Sequence, residues 1–306
     1  MERYKTNKVL MVRPVAFGFN EETAVNNHYQ KKGNLSNYEI QEKALFEFDE
    51  MVSKLKNIGI DVKILQDTKT PHTPDSIFPN NWFSTHSDNT VILYPMFAKN
   101  RRLERREDLY DIFENINEIK TLDYSQLENE DVFLEGTGSL VLDRKNKKAY
   151  CSLSERADER LLNVFCDDMG YKKIDFRSYQ TVDTKRKLIY HTNVMMSIAE
   201  NYAILCADAI DNKEERQKVI DELKANKKEI VYISEEQVEN FLGNAIELKN
   251  KDGISILIMS STAYNILTEK QKNIIEKYSV ILPVDVKTIE KYGGGSARCM
   301  IAELFI

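Results

Sequence analysis

One order of elements recurs five times along the 306 residues, and few folds can accommodate that. The unit is strand, strand, helix, strand, each roughly 50–60 residues long. Lys8 to Val12 reads as a first buried strand. Tyr38 to Asn57 carries Ile40, Ala44, Leu45, Phe48, Met51, Val52 and Leu55 at helical spacing, Gly59 closes that helix, and Val62 to Leu65 is the next strand. Polar turns open the later units: Pro74 to Phe83, Phe133 to Ser139, Tyr190 to Val194, and Leu242 to Glu247. Within them the spacing predicts an amphipathic helix over Arg101 to Ile116, a helix over Glu155 to Asp167, and a last strand over Met300 to Phe305. Paired short strands call for hairpins, which a doubly wound parallel sheet does not supply. Five such units closed into a ring bring their strand starts to a central channel. The expected organisation is one α/β domain with modules near 1–70, 71–127, 128–180, 181–240 and 241–306.

That ring gathers residues that are distant in sequence, so the polar openings are where chemistry is sought. Tyr292 to Met300 reads Tyr-Gly-Gly-Gly-Ser-Ala-Arg-Cys-Met, in which three glycines allow close backbone approach and hold Cys299 in place. Cys299 is the nucleophile candidate, because a thiolate forms beside a positive partner. The plain alternative is a small core cysteine behind a turn. His191, at the fourth opening, is the acid/base candidate, since imidazole titrates near neutral pH. A structural histidine is the alternative. Glu135, before the turn Gly136-Thr137-Gly138, is the orienting carboxylate or an ordinary turn residue. Each signal is weak alone; at equivalent module positions they form a Glu, His, Cys set.

Composition narrows the remaining classes. Apolar residues make up 42% and charged residues 30%, with a formal net charge of −6, as in an ordinary globular chain. The densest basic run, Lys99 to Arg102, leads into Glu104 to Glu107 and reads as a solvated helix face, so no nucleic-acid surface is expected. No apolar run is long enough for a membrane span, and Met1 to Lys5 lacks an apolar signal core. Four cysteines and four histidines are scattered without metal-ligand spacing, and no dinucleotide or P-loop signature occurs. Neither a metal nor a cofactor is therefore expected. A reducing cytoplasm with free thiols fits, Cys151, Cys166 and Cys206 being core residues.

Phe133-Leu134-Glu135-Gly136, His191-Thr192-Asn193 and Gly293 to Cys299 resemble the guanidine-modifying superfamily, which includes arginine deiminases, dimethylarginine hydrolases and amidinotransferases. Pro74 to Phe78 resembles the opening of their second module. The resemblance runs nearly the full length and implies the pentein fold, a five-bladed α/β propeller of ββαβ-type modules. Pro79 to Phe83 and His191 to Val194 are most similar to arginine-deiminase-related proteins of citrulline use. By this resemblance Cys299 attacks the planar carbon of a guanidino or ureido amino acid. His191 protonates the leaving nitrogen and then activates water, while Glu135 binds substrate nitrogens or steers His191. Arg156 matches an arginine that holds the α-carboxylate, with a helix-start surface charge as its alternative.

The departures carry further information. Deiminases place aspartates where Asn81 and Asn193 stand. An aspartate only accepts, whereas an amide donates and accepts, which suits the neutral ureido group of citrulline. The expected reaction is citrulline, or arginine through citrulline, to ornithine, with release of ammonia and carbon dioxide. An arginine deiminase or dimethylarginine-type hydrolase giving citrulline, an amidinotransferase, and a non-catalytic amino-acid-binding propeller remain alternatives. Asp75 is expected to contact substrate or Arg156, Asn244 to line the channel, and the amide-rich loop from Asn20 to Gln30 to close over the substrate. The small-molecule substrate is the one partner expected, and a homodimer is admitted.

Overall fold

The computed structural model describes residues 4–114, 116 and 118–306. Met1 to Arg3, on which the reading of the N-terminus draws, and Asn115, inside the helix expected from Arg101, lie outside the described residues. Strand β1 (Lys8–Arg13) buries Val9 to Val12 in succession, as a strand covered on both faces does. It pairs in parallel with β2 (Asp61–Gln66). The helix Asn37–Asn57 connects them, its start fixed by a reciprocal Ser36–Glu39 capping box and its inner stripe formed by Ile40, Ala44, Phe48, Met51, Val52 and Leu55.

Four further sheets repeat one pattern, an antiparallel pair followed by a parallel one. The second holds β3 (Phe83–Thr85), β4 (Thr90–Leu93) and β5 (Lys120–Asp123). The third holds β6 (Leu140–Asp143), β7 (Lys148–Ser152) and β8 (Lys172–Phe176). A two-stranded ribbon, β9 (Tyr179–Val182) and β10 (Lys185–Leu188), follows and had no signature in the repeat. The fourth sheet holds β11 (Met196–Ile198), β12 (Tyr202–Leu205) and β13 (Glu229–Tyr232). The fifth holds β14 (Ile246–Lys249), β15 (Ser255–Ser260) and β16 (Val280–Val284). Strand β17 (Ala302–Glu303) crosses back to pair antiparallel with β1, so the chain's end supplies the strand that the first unit lacks.

The first strands of the sheets touch one another: β17 meets β3, β6 meets β11, and β11 meets β14. The turns preceding these strands therefore converge, which is what positions the site. Among the described residues no helix is long and apolar enough to cross a membrane.

Four expectations need correction. No helix spans Arg101 to Ile116; one turn, Lys99–Arg102, is followed by a 3-10 stretch, Glu107–Phe113. Its arginines bond to groups off the helix axis. Arg105 donates to Glu128 and to the Tyr94 carbonyl, and Arg106, with extended backbone, donates to the Gln66 carbonyl. Nor is that run a solvated face, since Arg101 and Glu104 are buried. The third helix begins at Glu159, where Asp158 accepts from the Arg160 N–H as its cap, so Arg156 sits before it in a turn and points inward. The last strand is two residues long because a helix, Lys287–Gly293, and the following turn occupy the approach to it.

Candidate active site

The turns that precede the first strands carry the chemistry. Glu135 stands at the start of the turn Gly136–Ser139 and is wholly buried. Its Oε2 lies 2.7 Å from His191 Nε2, and its Oε1 accepts the Phe97 N–H at 3.0 Å. Arg156 Nη1 approaches the same Oε2 at 3.5 Å. The close fit depends on Gly138. A Cβ there would stand 2.7 Å from His191 Nδ1 and would overlap Asn81 Nδ2. Gly138→Ala is expected to push the His191 ring off Glu135 and lower kcat by about 100-fold, because small displacements of reacting groups are expensive. Steady-state kinetics on folded variant protein checks this, and an unchanged kcat would show that the packing is slack.

Cys299 is reached through the glycine run. The helix Lys287–Gly293 ends at Gly294, which takes a left-handed conformation (φ +64) and lets Asn27 close in; a Cβ there would lie 2.6 Å from the Asn27 amide nitrogen. The Tyr190 hydroxyl ties this turn down by donating to the Gly294 carbonyl at 2.8 Å. Two amides face the sulfur: Asn244 Nδ2 at 3.2 Å and Asn193 Nδ2 at 3.6 Å. Asn244 Oδ1 accepts the Arg298 N–H at 3.1 Å, which turns its amino end towards the thiol. The other three thiols are buried elsewhere in the core. Burial pushes Cys166 and Cys206 up to about 11 and Cys151 higher still, so none of them forms a thiolate at neutral pH.

Cys299 and His191 face one narrow cavity of about 10 Å³. Asp75, Asn81, Arg101 and Arg156 form its polar wall, and Thr23 and Asn27 cover it. A larger cavity of about 70 Å³ lies beyond Thr137 and Asn193, contains none of the Glu, His, Cys set, and is lined by structural ion pairs such as Lys228–Asp143 at 3.2 Å. The smaller cavity is the candidate site because the reactive groups are there. The 18–33 loop seals it through polar bonds. Asn20 and Thr23 donate to Asp75 Oδ2 at 2.7 and 3.1 Å, the Asn26 side-chain Oδ1 takes Arg156 Nε–H at 2.9 Å, and Asn27 reaches the Gly293 carbonyl at 3.3 Å. Asn20 thus holds Asp75 from outside the cavity rather than lining it. Asn193 and Asn244 stand at the sulfur, outside the cavity wall proper.

The electrostatics follow from this burial. Desolvation pushes the Glu135 carboxyl up, but the Arg156 guanidinium and His191 outweigh it and hold it down at about 2. Burial drives His191 down to about 4 against the pull of Glu135, so the closed pocket holds a neutral imidazole beside a carboxylate instead of one titrating near neutral pH. Burial raises Asp75, opposed by Arg101. Asp75 Oδ1, Asn80 Oδ1, Asn81 Nδ2 and Asn193 Oδ1 are all buried without a hydrogen-bond partner. Buried polar atoms are nearly always paired, so these four atoms offer open hydrogen-bonding capacity. Among the described residues no group of His, Cys, Asp or Glu could hold a metal ion.

Sequence reading missed Arg101 and Glu104, which sit within an alternating charged run that looks like any exposed face. Within the 18–33 loop it singled out Asn20, whereas Thr23 and Asn27 are the residues that line the cavity.

By its match to one family model and its likeness to solved structures, the chain is a pentein-fold, guanidino-modifying enzyme. Among solved structures the chain is similar to ArgZ, an arginine dihydrolase from the ornithine–ammonia cycle in cyanobacteria, with a TM-score of 0.72 and 18% identity over 96% of this chain and 40% of that one. Against the N-terminal domain of ArgZ in a substrate-bound cysteine-to-serine mutant, the TM-score is 0.70 at 18% identity, over 98% of this chain and 99% of that one. Against a cysteine-to-serine mutant of DDAH from Pseudomonas aeruginosa complexed with citrulline, it is 0.65 at 13% identity, covering 99% of this chain and 100% of the other. The chain thus spans well under half of full-length ArgZ. No curated protein matches its sequence. The family model for N,N dimethylarginine dimethylhydrolase, eukaryotic, matches residues 13–306, and the chain belongs to that family. The dimethylarginine hydrolases and the arginine dihydrolase to which it is similar are hydrolases acting on carbon–nitrogen bonds.

Proposed function

We propose that the chain is one five-bladed propeller domain that hydrolyses citrulline, or arginine through citrulline, to ornithine, ammonia and carbon dioxide. The observation that carries this is the shared cavity: Cys299 faces the same space as His191, which is bonded to Glu135, and Asp75 Oδ1 and Asn81 Nδ2 on its wall lack partners. Contacts between successive first strands support the ring.

In this reading Cys299, as thiolate, adds to the ureido carbon, with the N–H groups of Asn193 and Asn244 stabilising the sulfur. The proton from the thiol passes to His191, whose imidazolium is favoured by the Glu135 carboxylate. His191 returns it to the alkyl nitrogen, the C–N bond breaks, and ornithine leaves a carbamoyl thioester on Cys299. Water, deprotonated by His191, cleaves that thioester to carbamate, which separates into ammonia and carbon dioxide. Arg156 holds the α-carboxylate once the loop opens and Asn26 releases it, and Asp75 takes the α-amino group. Amides at Asn81 and Asn193 favour a neutral ureido group over a cation.

The family match favours a second reading, in which the same thiolate releases dimethylamine from N,N-dimethylarginine and stops at citrulline. Incubating purified protein separately with citrulline, arginine and N,N-dimethylarginine separates the two. Ornithine and ammonia from citrulline are expected. Citrulline accumulating from the methylated substrate, with no ornithine, would favour the second reading, and turnover of none of the three would remove both.

A further inference from the structure

We infer that Glu290 is a positioning residue for the nucleophile: it ties the turn that presents Cys299 to the fifth sheet, and so keeps the sulfur in place when the 18–33 loop lets go of that turn. This rests on the reading of Cys299 as the attacking group. Glu290 lies on the helix Lys287–Gly293 and is buried. Its Oε1 accepts the Ser296 hydroxyl at 2.6 Å, and its carbonyl accepts the Gly294 N–H at 2.9 Å. The Ser296 carbonyl in turn accepts the Cys299 N–H at 2.9 Å. One residue therefore fixes both ends of the stretch from Gly294 to Ser296, and the second end is bonded to the backbone of the nucleophile.

The other carboxylate oxygen supplies the anchor. Oε2 accepts the Thr262 hydroxyl at 2.7 Å. Thr262 stands in the short helix Ser261–Asn265, directly after β15, and the Ser260 hydroxyl caps that helix by accepting the Ala263 N–H at 3.1 Å. Two hydroxyl donors call for two acceptors, which a carboxylate offers and an amide does not. Burial raises the Glu290 carboxyl, and hydroxyl bonds from Ser260, Ser296 and Thr262 oppose that rise.

Other tethers of the same turn belong to the loop. Asn27 reaches the Gly293 and Gly294 carbonyls at 3.3 and 3.5 Å, and the Lys31 N–H donates to the Lys291 carbonyl at 2.7 Å. Opening the loop to admit substrate breaks these bonds and leaves those of Glu290 intact. The Tyr190 hydroxyl, outside the loop, grips the Gly294 carbonyl but does not reach Ser296. Gly295 passes the restraint on: a Cβ there would lie 3.3 Å from the Cys299 Cβ, so the turn packs against the nucleophile's own carbon. Slack at Ser296 thus moves the sulfur away from the Asn193 and Asn244 N–H groups that face it. Glu290 touches no substrate atom in this scheme; it acts through Ser296.

The test compares wild type with Glu290→Gln, Ser296→Ala and the double variant. Steady-state kinetics on citrulline gives kcat and KM. Mass spectrometry of the peptide bearing Cys299 gives its rate of alkylation by iodoacetamide, which needs no substrate and so reports the sulfur whatever the enzyme acts on. Each single variant should lower kcat and the alkylation rate about tenfold while KM stays within about threefold, because a small displacement of a reacting atom is costly. The double variant should fall no further than the more damaging single one, since both changes cut the same tether. Where Glu290→Gln does not fold, Ser296→Ala, which deletes one hydroxyl, decides alone. Folded variants with wild-type kcat and alkylation, whatever their melting temperature, would make Glu290 an anchor of the fold and overturn the proposal, as would single effects that multiply in the double variant. Wild-type protein inactive on citrulline, arginine and N,N-dimethylarginine would instead sink the proposed reaction, and the alkylation rates would still decide the role of Glu290.

Discussion

Replacing Cys299 with serine is expected to lower turnover of citrulline and arginine by about four orders of magnitude while leaving substrate binding within a fewfold of wild type. The change is one atom. Serine fits the same turn after Ala297 and Arg298, and the Asn193 and Asn244 amides can still donate to it. What is lost is ionisation. A hydroxyl stays protonated in a buried site where burial has pushed His191 down to about 4. The thiol gives up its proton far more readily, and sulfur is the better nucleophile towards a resonance-stabilised planar carbon. Mass spectrometry of wild-type protein quenched during turnover should show a carbamoyl adduct on the peptide bearing Cys299, and the serine variant should show none. A serine variant within tenfold of wild type would mean that another group attacks.

The secondary-structure elements and the candidate Glu, His, Cys set were read from the sequence for different reasons. Strands such as Lys8–Arg13 and Ser255–Ser260 are buried on both faces and read as apolar runs, and the helix Asn37–Asn57 carries both a cap signal and a 3.6-residue stripe. The recurrence of these signals placed the polar openings at equivalent positions, which is how Glu135, His191 and Cys299 could be grouped across 165 residues of chain. The misreadings occurred where long-range polar bonds overrode local pattern. Between Lys99 and Phe113 the spacing favours a helix, but bonds from Arg101 to Asn81, from Arg105 to Glu128 and from Arg106 to Gln66 break it. Periodicity records which residues are apolar; it cannot tell a charge that meets water from one that meets a buried carboxylate 2.8 Å away. The loop from Asn20 to Gln30 shows the same limit. Its amides suggested a cover for the substrate, but only the structure separates Asn27 and Thr23, which face the cavity, from Asn20, which holds Asp75.

His191→Gln is expected to lower kcat about 1,000-fold with little change in substrate affinity, and to alter how stability depends on pH. The amide can still donate to Glu135, so the turn Thr192–Val194 keeps its anchor, but it can neither protonate the leaving amine nor deprotonate water. The pH effect follows from the same burial. The folded protein holds His191 at about 4, whereas the unfolded chain titrates near 6.5. Between those values the unfolded state binds a proton that the native state refuses, so native stability is lost as pH falls from 6.5 towards 4, on the order of 3 kcal/mol in all. Glu135, held down at about 2, contributes stability above its ordinary value of 4.5 and loses it only below that. His191 therefore dominates this pair between pH 4.5 and 6.5. His86 is also buried and pushed well down, but it remains in both proteins, so the difference between them isolates His191. Denaturant melts across that window should fall more steeply with acid for wild type than for His191→Gln. Parallel curves would mean that the ring is not held neutral by burial, and a kcat within tenfold of wild type would remove it from the chemistry.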